Sequence, residues 1–304
     1  MMQKDTPIDS VKVAKRDAYA VIKASGESLL KYLQGQVAQD VSKLSETQAI
    51  YSVILTPQGK PVSDFYLLLT KKKETWAEVM FLCPSAFALN LVERLRMFAL
   101  GYELRIGKVS SWQVFSVQGG DVDDFLQANA LPMPTHEKLA SAHTDTVSIL
   151  RMSEPSKNGV WVMGSDLPLS CNADENEIER GRILQGTPLL GVDWDIKLHP
   201  LNANLMDRDG VSFDKGCYVG QEVTSRMHWR GGIKKKLYRV KLEKDVRLPC
   251  AVLTTVKVGE VTSLAQDGDA YQGIALLPIE TVEANQPLQT EAGDKVQVLG
   301  VCGE

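Results

Sequence analysis

Asp214-Lys215-Gly216-Cys217-Tyr218-Val219-Gly220-Gln221-Glu222 is the run on which the reading of this chain turns. It sets one thiol between a cation and a carboxylate, in a segment whose two glycines let the backbone bend tightly and come close to a ligand. A thiol reacts as its thiolate, so an ammonium at Lys215, or amides at a helix start, would favour the reactive form of Cys217. The same residues also suit a plainer structure, with Cys217 as a small buried apolar side chain and the glycines in a tight turn.

The 304 residues are 44% apolar and 24% charged, ordinary globular usage without a low-complexity tract, and long enough for two or three folded units. A net charge of −4 opposes wholesale nucleic-acid binding, which needs a basic surface. Two basic stretches stand out locally. Lys71-Lys72-Lys73 reads as a solvated hairpin turn between strand-like segments. Arg226, Arg230, Lys234, Lys235, Lys236 and Arg239 follow the thiol run and suit either solvent or an anionic ligand. The five cysteines are scattered, with no Cys-x-x-Cys pair and no zinc or iron–sulfur spacing. Asp5, Asp9 and Asp17 fit neither a secretory signal nor a transit peptide, and no run reaches the roughly 18 apolar residues of a membrane helix. The expectation is a cytoplasmic protein without direct membrane contact.

Outward from the motif, the pattern is mixed α+β. Tyr19 to Ala24 reads as a strand, Ser25-Gly26-Glu27-Ser28 as turn and cap, and Leu29, Leu30, Leu33 and Val37 as a helix face that Gly35 weakens or ends. Ala49 to Leu55 and Val62 to Leu69 flank the turn Thr56-Pro57-Gln58-Gly59-Lys60-Pro61, making a hairpin. Ser85 to Phe98 has the periodicity of an amphipathic helix with Leu89, Val92 and Leu95 on one face. Strand and helix alternate again to a helix near Asn176 to Gln185. After Lys236 short alternating segments suggest a small antiparallel barrel. The expected units are 1–110, 111–232 (carrying the motif, and able to pack back on the first) and 233–304.

The run has the form K-G-C-[FY]-x-G-Q-E and resembles the signature of the YgfZ family of folate-binding proteins, relatives of the glycine cleavage T-protein. Tyr32-Leu33-Gln34-Gly35-Gln36-Val37 with Asp40, Thr56-Pro57-Gln58-Gly59-Lys60, and Gly210-Val211-Ser212-Phe213 resemble the same family in the same order, with Arg226 and Lys234-Lys235-Lys236 after the motif. The resemblance implies a T-protein-like ring of two α+β domains and a C-terminal small antiparallel β-barrel, around tetrahydrofolate or a one-carbon derivative. It implies support of iron–sulfur proteins, including a radical enzyme that thiolates tRNA. Cys217 is then the functional thiol, Lys215 its electrostatic neighbour, and Gln221 and Glu222 order the loop or meet a partner. Tyr19, Asp64, Ile178, Tyr218 and Arg226 are the expected folate contacts, which puts an accessible, cation-assisted sulfur beside a pterin pocket.

Two departures from the transferase pattern weigh against aminomethyl transfer, which needs a carboxylate near the folate nitrogen. Ser63-Asp64 replaces an Asp-Asp pair, and the T-protein's acidic, glycine-containing pterin segment is not recognisable around Glu154 to Gly159. Where the family resemblance suggests a second aromatic, the chain has Ile178, which cannot stack. Asp64 also suits a solvated edge strand, and Tyr19 a core-facing strand. The four histidines show no metal-like spacing, although His228 lies near enough in sequence to serve Cys217 as a base.

Overall fold

Gly59 takes φ +75°, a left-handed conformation that an L side chain adopts only at a cost, and so closes the turn between Thr56 and Lys60. The two segments it joins run antiparallel, with Tyr51 opposite Tyr66 and Val53 opposite Asp64. The hairpin belongs to the first of three sheets in the computed structural model, which describes residues 11–152 and 159–303.

In chain order the first half holds β1 (Lys12–Lys15), β2 (Tyr19–Glu27), α1 (Leu29–Gln34), β3 (Ile50–Leu55), β4 (Pro61–Lys73), β5 (Trp76–Pro84), α2 (Ala88–Met97) and β6 (Leu104–Lys108). Then come β7 (Gln113–Gln118), α3 (Val122–Ala128), β8 (Ser141–His143), β9 (Val147–Arg151), β10 (Gly159–Gly164), α4 (Glu175–Leu184) and α5 (Gln221–Trp229). The last part is β11 (Lys235–Leu242), β12 (Cys250–Leu253), β13 (Lys257–Asp267), β14 (Ala270–Pro278), α6 (Ile279–Glu283), β15 (Gln289–Thr290) and β16 (Gln297–Val301).

The first sheet has the order β3-β4-β5-β2-β6 and the second β1-β7-β10-β9-β8, so the first strand crosses into the second sheet. The C-terminal sheet, β15-β12-β13-β14-β11-β16, is a curled half-barrel, with β15 and β16 at its edges. One hydrophobic cluster takes side chains from all three sheets: Tyr51, Leu68 and Met80 from the first, Leu150, Trp161 and Met163 from the second, Leu237 and Ile274 from the third. The three sheets therefore share buried surface, the dominant favourable term in folding.

Several local expectations change. Leu89 is 67% exposed, and the buried face of α2 is Ala88, Leu91, Val92 and Leu95, the i, i+3, i+4, i+7 set. Arg94 is buried as well and donates to Gln36 Oε1 and the Leu55 carbonyl. Ser28 does not cap α1: it adopts φ 55°, and β2 runs on through Ser25–Glu27 against Trp76–Glu78. Lys71–Lys73 is not the turn but the exposed end of β4, paired with Trp76–Glu78. The segment Glu154 to Asn158 lies outside the described residues.

Candidate functional site

The motif packs against the first sheet at two glycine contacts. Gly220 precedes α5 at φ +86°, where an added Cβ would lie 2.7 Å from Leu55 Cβ and 2.8 Å from the Thr56 carbonyl oxygen. Gly59, in the facing turn, would place a Cβ 2.9 Å from Val223 Cβ on α5. Gly220→Ala is therefore expected to destabilise the fold by roughly 2–4 kcal/mol, from left-handed strain plus overpacking. Urea denaturation checks this; a change below about 1 kcal/mol would show that the contact yields.

Lys215 is buried, and its three ammonium donors go to the carbonyls of Gln34 (2.8 Å), Val37 (2.7 Å) and Gln39 (3.0 Å). These carbonyls sit at and beyond the end of α1, where helix acceptors lack intrahelical partners. Burial lowers the Lys215 pKa to about 8, so the group is still charged at neutral pH. All three ammonium protons are thus engaged by carbonyls of the first sheet's helix and the segment after it. Cys217 itself is exposed, on the loop ahead of α5. Gln221 Oε1 accepts from the Tyr218 amide at 3.3 Å, and Glu222 pairs with Arg226 at 2.7 Å on the exposed face of α5. Tyr218 is buried in the shared core. His228 stacks on Phe213, with centroids 4.0 Å apart, and among the described residues no hydrogen bond joins it to Cys217.

A cavity lies elsewhere, between the first two sheets and α4. Tyr19, Asp64 and Ile178 line it together, as do Tyr51, Tyr66, Trp161, Arg16 and Arg208. Tyr19 and Trp161 meet at 4.6 Å between centroids, with the Arg16 guanidinium 5.3 and 5.4 Å from the two rings. Asp64 is 5% exposed; the Tyr51 hydroxyl donates to its Oδ2 at 2.7 Å, and Arg208 Nη1 donates to that hydroxyl at 2.7 Å. Burial raises the Asp64 pKa against the opposing pull of Arg208 and the Tyr51 hydrogen bond. Its other oxygen, Oδ1, is buried without a partner. Tyr218, Arg226 and Cys217, expected beside a common pocket, do not line this cavity.

The wall at α4 is anchored to the C-terminal sheet. Arg182 donates through Nη1 to Asp193 Oδ2 (2.6 Å) and the Thr187 carbonyl (2.6 Å), and through Nε to Glu179 (2.6 Å). Asp193 in turn accepts from Thr262 (2.9 Å) and Ser263 (2.5 Å) on β13 and from the Leu189 amide (2.9 Å). Part of the cavity was within reach of sequence reasoning. Asp64 and Tyr66 are two apart on one strand, and the hairpin register sets Tyr51 against Tyr66, so period-two alternation puts all three on one face. Arg16, Trp161 and Arg208 carry no comparable local signal.

No family model matches the chain. It is 27% identical over 279 residues to the tRNA-modifying protein YgfZ of Hamiltonella defensa, an alignment spanning 83% of this chain and 79% of that one. It is 25% identical over 304 residues to the mouse mitochondrial iron-sulfur cluster assembly factor IBA57, covering 94% and 82%. These relatives and the fold together support a YgfZ-family, T-protein-like protein. Its fold is that of the T-protein: the glycine cleavage system aminomethyltransferase T of Bartonella henselae superposes with a TM-score of 0.81 over 96% of this chain and 84% of that one, at 18% identity. Among the described residues no helix is long and apolar enough to cross a membrane, and no group of three or more His, Cys, Asp or Glu could hold a metal ion.

Proposed function

We propose that this chain is a tetrahydrofolate-binding accessory protein that supports assembly or repair of iron–sulfur enzymes, tRNA-modifying radical enzymes among them, with Cys217 as its functional thiol. The observation that carries the folate part is Asp64 Oδ1, a buried carboxyl oxygen without a donor, in a cavity walled by Tyr19, Tyr66 and Trp161. A pterin offers N–H donors along one edge and two flat faces, the complement of such a wall and acceptor. Asp64 would accept from that edge, with Tyr51 and Arg208 holding the carboxyl in place, and Ile178 and Tyr19 would bound the ring. Bound there, tetrahydrofolate supplies a carrier for one-carbon groups. The relatives' names support the iron–sulfur and tRNA-modification part, and the exposure of Cys217 supports a thiol that meets a partner.

Titration with tetrahydrofolate tests the reading. Asp64→Ala is expected to weaken binding by about tenfold or more, since a hydrogen bond to a charged or buried carboxyl is worth roughly 1.5–3 kcal/mol. Absence of binding by the wild-type protein would overturn the folate assignment.

Aminomethyl transfer is the second reading, and Asp64 is what favours it, as the one acid lining the cavity. That carboxyl is already engaged by Tyr51, and among the described residues no second acid lines the cavity to share the work. Incubation with an aminomethyl-loaded lipoyl carrier and tetrahydrofolate separates the readings: ammonia release and methylene-folate formation would establish the transferase.

A further inference from the structure

Trp229 closes α5 with its side chain 73% exposed, yet the ring is held. It meets His228 edge-on at 4.5 Å and Phe213 at 6.4 Å between centroids, and Phe213 lies flat on His228. None of these three rings lines the folate cavity. A large aromatic fixed in water keeps apolar area unburied, and its preset orientation lowers the ordering cost of binding something else.

The surroundings are cationic. Arg226, Arg230 and Lys234 are exposed around the same end of the helix. The acid of α5, Glu222, is engaged with Arg226. Among the described residues Arg230 and Lys234 form no ion pair. Tryptophan and arginine are the side chains most enriched at energetic centres of protein interfaces, and unpaired rim cations select partners of opposite charge.

The patch is also placed against the thiol loop. Phe213 lies at the C-terminal end of α5 through its stack on His228, and Gly220 at the N-terminal end. Residues 213–220 therefore run back beside a helix about 12 Å long, at 1.5 Å per residue, and carry exposed Cys217 on the way.

The geometry points to the Trp229 end of α5 as a docking site for a partner protein with an acidic surface and a recess for the indole. This rests on the accessory role proposed above and names the surface through which that role is exercised. The test is binding of the full-length protein to a purified iron–sulfur tRNA-modifying enzyme at low and high ionic strength, with tetrahydrofolate titrated on the same samples. Trp229→Ala, and separately the pair Arg230→Glu and Lys234→Glu, each weaken the complex by about tenfold or more while folate affinity stays at the wild-type value. Raising the ionic strength weakens the wild-type complex and has less effect on the charge-reversed pair. Wild-type affinity in both variants overturns the docking site and leaves the accessory role standing. A wild-type protein that binds folate but not the enzyme overturns the accessory role and the docking site together. RNA bound through Trp229 in place of protein, or a dimer of this chain that Trp229→Ala dissolves, also overturns it.

Discussion

If the proposed accessory role holds, Cys217→Ala is expected to abolish the activity of dependent iron–sulfur enzymes while leaving the protein's stability within about 0.5 kcal/mol of wild type, the usual range for an exposed position. The thiol stands in solvent on a short loop whose two ends are held: Lys215 is anchored in the carbonyls beyond α1, and Gly220 is wedged against Leu55. Removing one sulfur atom takes nothing from either anchor. Cys83 and Cys302 are different, because burial pushes both thiols up to about 12 and keeps them protonated at neutral pH. Cys171, the other exposed cysteine, supplies the control, since its replacement by Ala should leave activity intact. The readout is the activity of a cluster-dependent tRNA-modifying enzyme in a deletion strain carrying each variant, with urea denaturation alongside. Full activity of Cys217→Ala would end the case for a functional thiol.

Asp193→Ala should cost the fold about 3–5 kcal/mol, the range for breaking a buried ion pair by removing one partner. The side chains of Arg182 and Asp193 are 8% and 0% exposed and 2.6 Å apart. Without the carboxylate, the guanidinium keeps Glu179 and the Thr187 carbonyl but loses its deepest partner, the Ser263 hydroxyl and the Leu189 amide lose their acceptor, and the Thr262 hydroxyl keeps only the Ile274 carbonyl. The loss falls where α4, the loop that follows it and the C-terminal sheet meet, so the cavity wall at Ile178 should loosen too. Denaturant unfolding measures the first effect, and tetrahydrofolate affinity the second. Pairing Asp193→Leu with Arg182→Met should recover most of the stability if the stranded charge is the cause. A single variant within about 1 kcal/mol of wild type would show that water reaches Arg182 and replaces the acid.

The hairpin around Gly59 was legible because turn chemistry and strand alternation act over a few residues. Helix α2 was legible in kind and misjudged in rotation. Leu89 satisfies the same spacing as Leu91 and Val92, and only the sheet beneath decides which flank is covered. Helix α5 is not legible in the sequence, because Gln221 to Trp229 has a single buried position, Thr224, and so no apolar stripe. Tyr19, Asp64 and Ile178 are indicated by the family resemblance, whereas Arg16, Trp161 and Arg208 join them from segments far apart in the chain.

The residues by themselves determined the strand-rich α+β character, the tight glycine turns and the identity of the thiol run, since each depends on backbone preference or on neighbours within a few positions. Which charge serves which group was decided only in three dimensions. Lys215 stands two residues from Cys217 in sequence, yet its ammonium is drawn to three carbonyls left open past α1. A buried charge goes to the partners that replace its lost water, and those are supplied by whatever the fold brings alongside.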